Sequence, residues 1–212
     1  MSLIAVQLCM LTILLSLCEG RRPVFLLDLG STFCPRDSLS TPENLGSLHR
    51  AMSTFLDLTE FAGQVTLVSS AAGDDPWLLG CLASMPEPLR RRIRGYRIAH
   101  TRRLGQPTKA LFYLRMLETI DAQMGDARPT VVVSMSDSLR DFYHLKFIAS
   151  RFQNVSCRAL RLLSKPTVED MVNQLILASR LLPTLLNSVS KRVSFGGFNL
   201  KIDKENIHCV IC

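Results

Sequence analysis

Short apolar runs rich in β-branched residues alternate along this chain with longer segments whose apolar residues recur at helical spacing. No other feature constrains the fold as much. PVFLLDL (23–29), QVTLVSS (64–70), PTVVVSMS (129–136) and NVSCRALRLL (154–163) read as strands, and the first is apolar enough to be buried on both faces. Between them, the stretch 41–63 opens with Thr-Pro-Glu, a cap, a first-turn proline and a first-turn acid, and then repeats Leu45, Leu48, Met52, Phe55 and Leu58. A second helix is expected from Pro107 to Gly125. A third carries Leu139, Phe142, Leu145, Phe147, Ile148 and Phe152, and a fourth runs from Thr167 to about Leu182. Strands alternating with helices pair in parallel through right-handed crossovers, so the predicted class is α/β: a doubly wound, mostly parallel sheet with helices on both faces.

The chain has 212 residues, 47% of them hydrophobic, which is enough for one core with short appendages. Residues 21–187 form the predicted α/β domain. Residues 1–20 are an apolar extension, with a run from Leu3 to Cys18 that resembles a signal peptide but lacks a preceding base and is short for a membrane span. Residues 188–212 change character, with Gly196-Gly197 and mixed charges, and read as an appended segment. Seven cysteines are too few and too irregular for a disulfide framework, which favours a reducing compartment; the apolar start and the sequon at Asn154 argue for the secretory pathway.

The net charge of +7 is concentrated. LRRRIRGYRIAHTRRL, residues 89–104, contains Arg90, Arg91, Arg92, Arg94, Arg97, Arg102 and Arg103 and no acid, a composition suited to phosphate or an acidic partner surface. Tyr96 is its only aromatic, which is not the interleaving of a base-stacking surface, so a contact with protein, a contact with DNA and a plain solvated face all stay open.

Ligands of doubly wound sheets gather at the carboxyl ends of the strands, which directs attention to DLGST after the first strand and MSDS after the strand near 130. With Thr108, these loops resemble the metal-ion-dependent site of von Willebrand A domains. That resemblance implies hard-cation ligation by Asp28, Thr32, Thr108 and Asp137. Gly30 stands where the first serine belongs, so one oxygen donor is missing and magnesium is expected to bind weakly at most. The structural alternative is that Asp28 and Asp137 cap the helices after their strands. Neither a Walker A sequence nor G-x-G-x-x-G is present, and His49, His100, His144 and His208 lack a partnered nucleophile in a recognisable turn; an enzyme with a small-molecule substrate is not expected.

GQPTKALFYLRML, VVVSMSDS, FYHLKFIASRFQ, NVSCRALRL and the terminal HCVIC are together similar to the smaller von Willebrand A subunits of transcription factor TFIIH. The resemblance implies a nuclear, non-enzymatic scaffold that pairs with the larger A-domain subunit and other core subunits in transcription initiation and nucleotide excision repair. It also implies a C-terminal zinc module, of which Cys209 and Cys212 supply one C-x-x-C pair. GGFNLKID stands where the earlier cysteine pair belongs. His208 offers a third donor and leaves the tetrahedron open, so a cut or decayed zinc site is the expectation.

Overall fold

A five-stranded, all-parallel sheet in the order β3-β2-β1-β4-β5 forms the centre of the computed structural model. The structure describes residues 23–35, 42–70, 74–100, 109–122, 130–152 and 155–187, together with Gln7, Met10 and the backbone of 201–203 and 206–208. The strands are β1 (Val24–Asp28), β2 (Gln64–Ser69), β3 (Arg97–His100), β4 (Thr130–Ser136) and β5 (Val155–Arg161). Leu27 sits between Leu67 of β2 and Met135 of β4, so β1 is central and its last residue, Asp28, emerges at the carboxyl edge.

Side chains alternate across the sheet, and each face is covered by its own helices. Phe25, Leu27, Val133 and Met135 point to a core closed by α1 (Leu29–Phe33), α2 (Pro42–Ala62), α3 (Pro76–Ser84), α4 (Glu87–Gly95) and α7 (Val168–Asn187). Leu26, Val132, Val155 and Cys157 point the other way, against α5 (Lys109–Ala122) and α6 (Leu139–Ala149). The doubly wound α/β class is therefore the observed one. Gly63 joins α2 to β2 where the chain passes Pro23: a Cβ there would lie 2.1 Å from the Pro23 carbonyl oxygen, which accepts a hydrogen bond from Gln64 N at 2.9 Å.

Three local details differ from the sequence reading. The stretch after Asp74, to which the sequence assigned no element, is helix α3. Asp75 is its N-cap, accepting from Trp77 N at 3.0 Å and Leu78 N at 3.3 Å, and Pro76 occupies the first turn. The arginine run is largely helical as well. Leu89 and Ile93, four apart, anchor α4 to the core and turn its arginines outward, and Arg97 begins β3. Helix α7 does not stop near Leu182 but continues through Pro183 to Asn187, because Leu182 and Leu185 are buried and hold the last turn against the core. At the C-terminal end, Lys201–Asp203 and Asn206–His208 pair as a small antiparallel ribbon.

Candidate functional site at the carboxyl edge

Four strand and helix ends converge where β1 and β4 lie side by side, at the point where the chain switches faces of the sheet. Asp28 closes β1, Ser136 closes β4, Lys109 opens α5 and Asp141 lies in the first turn of α6. Lys109 Nζ donates to both Asp28 Oδ2 and Asp141 Oδ2 and so forms an ion pair on each side. Ser136 Oγ donates to the same Asp141 oxygen at 3.0 Å. Asp28, Lys109 and Asp141 are only 6%, 8% and 8% exposed, so the cluster is nearly sealed from water. Burial alone would strip charge from the lysine, but Asp28 and then Asp141 outweigh it and hold the ammonium above the ordinary lysine range. Beneath it, burial raises the Tyr113 phenol well above its ordinary value, the charge of Asp141 adds to the rise, and a hydrogen bond to the Ser134 side chain opposes it.

This site overlaps the predicted cation site without coinciding with it. Asp28 is common to both. Thr108, immediately before Lys109, lies outside the described residues. Asp137 sits half-buried in the bend after β4, and the carboxylate at the centre is Asp141 instead. Nor is Asp137 the cap of α6: that residue is Ser138, whose Oγ accepts from Asp141 N at 3.2 Å and whose own N–H donates to Ser136 Oγ at 3.2 Å. Thr32 is buried with its hydroxyl unpaired, lining a crevice with Met135, Leu162, Met171, Gln174 and Leu175 toward α7. At Gly30, a Cβ would come within 3.3 Å of Asp28 Oδ1 and 3.4 Å of the Trp77 ring, so the indole takes up the space of the missing serine side chain.

Lys109 and Asp141 escaped the sequence reading because an ion pair between residues 32 apart leaves no local pattern. One signal was available: Ser138 followed three residues later by Asp141 is a helix start, and it places that acid in the first turn beside the strand end. Among the described residues, no three His, Cys, Asp or Glu side chains converge as a metal ligand set. Cys209, Cys212 and the side chain of His208 lie outside what the structure describes.

The arginines have distinct placements. Arg92 reaches from α4 to α2, with NH1 on Asp57 Oδ1 at 2.7 Å and NH2 on Glu60 Oε2 at 2.6 Å; Tyr96 OH donates to the same Glu60 carboxylate. Burial works to raise the Glu60 pKa, but the hydrogen bonds from Arg92 and Tyr96 hold that carboxyl below its usual range. Arg90 pairs with Glu87, and Arg91 lies 3.5 Å from the same acid. Arg94 and Arg97 are exposed. Arg102 and Arg103 lie outside the described residues. Since Asp57 and Glu60 remain substantially solvated, Arg92→Ala is expected to cost about 1 kcal/mol. That would lower the melting temperature by about 2–4 °C. Arg94→Ala and Arg97→Ala should leave it unchanged by differential scanning fluorimetry; equal effects of all three would show that Arg92 is no clamp.

A bridge joins Cys34, at the end of α1, to Cys81 in α3, with Cα atoms 5.7 Å apart. The sequence reading, weighing the cysteines as a framework, had no pairing for these two. Among the described residues, no helix is long and apolar enough to cross a membrane. Set against protein-family profiles, curated protein sequences and solved structures, the chain has no significant match to any of them.

Proposed function

We propose that this chain is a non-enzymatic, von Willebrand A-like scaffold that works through protein contacts in the TFIIH core, in transcription initiation and nucleotide excision repair. The observation that carries this reading is Lys109. Its ammonium lies between Asp28 and Asp141 at the carboxyl edge, where an A domain that binds ligand through a cation would keep its metal and an open coordination position. A built-in counter-ion sealed by burial suits a domain whose partners bind elsewhere on its surface. The resemblance in GQPTKALFYLRML and VVVSMSDS supplies the choice of complex, with the larger A-domain subunit as the first partner. Affinity purification of the tagged full-length chain from nuclear extract should recover TFIIH core subunits at stoichiometric yield. Recovery of none, from the full chain and from a form lacking residues 1–20, would remove the TFIIH assignment.

A second reading is favoured by the Cys34–Cys81 bridge: a secreted or membrane-tethered A-like domain, since disulfides persist in oxidising compartments. Imaging of the tagged chain separates the two readings, with nuclear signal supporting the first and secretory-pathway signal the second. The cation proposed for an extracellular A domain fits poorly here, because the buried Lys109 ammonium stands in its place.

A further inference from the structure

Helix α6 carries an apolar stripe on its outer side. Leu139, Tyr143 and Phe147 follow one another at intervals of four and are 42%, 57% and 63% exposed, while Leu145, Ile148 and Ala149 on the inner side are buried. The other exposed positions between 139 and 151 are the bases Arg140, Lys146 and Arg151, plus Ser150. The one acid of the helix, Asp141, faces inward and is paired with Lys109. An ordinary solvated helix face mixes both signs and keeps large apolar groups off its crest. This face has three large apolar side chains in line, bases beside them and no acid. Arg151 stacks its guanidinium 4.6 Å from the centre of the Phe147 ring, which holds the aromatic against the helix surface.

We propose that this face of α6 docks an amphipathic helix of a partner protein, with apolar anchors that mesh with Leu139, Tyr143 and Phe147 and acidic residues that meet Arg140 and Arg151. The stripe rises about 12 Å from Leu139 to Phe147, the length of two turns of a facing helix. Tyrosine, phenylalanine and arginine are also the residue types enriched at the centres of protein interfaces. Charge selects among occupants. A second copy of this chain would bring the same bases face to face, and like charges across an interface oppose association. A basic face beside leucine and aromatic side chains also suits an anionic membrane surface, so phosphatidylserine vesicles are the competing outcome of the test. The proposal is independent of the TFIIH reading, because it rests on the exposed side chains of one helix and holds in either compartment.

The test uses the folded full-length chain and two stapled helical peptides of about four turns. Both carry the same leucine and phenylalanine stripe, flanked by glutamates in one and by lysines in the other, and binding is read by fluorescence anisotropy. The glutamate peptide should bind and the lysine peptide should not. Tyr143→Ala with Phe147→Ala should weaken binding by roughly 30-fold or more, as loss of interface anchors does. Because both positions are exposed, the double variant should melt as the parent does. Arg140→Glu with Arg151→Glu should reverse the preference toward the lysine peptide. Equal binding of the two peptides, failure of the glutamate peptide to bind, or indifference to the alanine pair would overturn the proposal. It would equally be overturned if the alanine pair instead abolished binding to phosphatidylserine vesicles or dimerisation in sedimentation velocity.

Discussion

Lys109→Ala is expected to lower the melting temperature of the full chain by on the order of 10 °C. The substitution removes the ammonium that pairs with both Asp28 and Asp141 and leaves the two carboxylates buried without it. Deleting one partner of a buried ion pair costs about 3–5 kcal/mol, chiefly because the remaining charge is neither solvated nor paired. In a domain of this size each kcal/mol shifts the midpoint by about 2–4 °C. The triple variant Lys109→Met, Asp28→Asn, Asp141→Asn should recover most of the loss, since the desolvation burden goes with the charges. Millimolar manganese should raise the midpoint of Lys109→Ala and leave the parent unchanged, because the vacated space is bordered by two carboxylates and the Ser136 hydroxyl, all hard oxygen donors. The pH dependence has a definite sign. Since the folded state raises the Lys109 pKa, the stabilisation is complete below the ordinary lysine value of about 10.4 and is lost as pH climbs through the raised one. A Lys109→Ala protein as stable as its parent would show that the ammonium is not the counter-ion of this site.

The other large effect concerns the Cys34–Cys81 bridge. It spans 47 residues of sequence, and closing a loop of that length in the unfolded chain is worth roughly 4 kcal/mol in the loop-entropy description. Cys81→Ser should therefore lower the midpoint by on the order of 10 °C under oxidising conditions. Dithiothreitol should bring the parent down to the level of the variant and leave the variant where it is. Rapid alkylation of Cys34 and Cys81 in the native oxidised protein, together with a midpoint insensitive to reductant, would show that the two thiols are not joined. The same measurement on protein isolated from cells bears on the choice between a nuclear and a secretory chain, because a reducing compartment removes this contribution altogether.

Much of the architecture was legible because it rests on repetition. The strands at 23–29, 64–70 and 129–136 follow from short continuous apolar runs, and the helices at 42–62 and 109–122 from 3.6-residue periodicity, signals that need no partner to be seen. Helices α3 and α4 were missed although Asp75-Pro76 and Pro86-Glu87-Pro88 are starting signals, since the cluster of prolines and arginines outweighed the buried pair Leu89 and Ile93. The site was half legible. Asp28 was found because it ends an apolar strand, which is a local fact. Lys109, Asp141 and the Cys34–Cys81 pairing are relations between distant segments, brought together only when the sheet forms. The division of α6 into a buried side and an exposed aromatic stripe was equally hidden. Phe147 and Leu145 are alike in hydrophobicity, and only the direction of the helix against β4 and β5 decides which of them meets water.

Trp77 lies over Gly30 beside Asp28, and it is the only tryptophan of the chain. Cys81 follows it by one turn of α3, so the indole has the carboxylate corner on one side and the bridge close by on the other. The molecule consequently carries its own optical gauge of one small region. Intrinsic emission will register opening of the corner between α1 and α3, or scission of the sulfur link, while far-ultraviolet dichroism follows the sheet and all the helices. If the two signals separate during a titration, the corner has yielded before the sheet, and the order of events can be read without attaching any label.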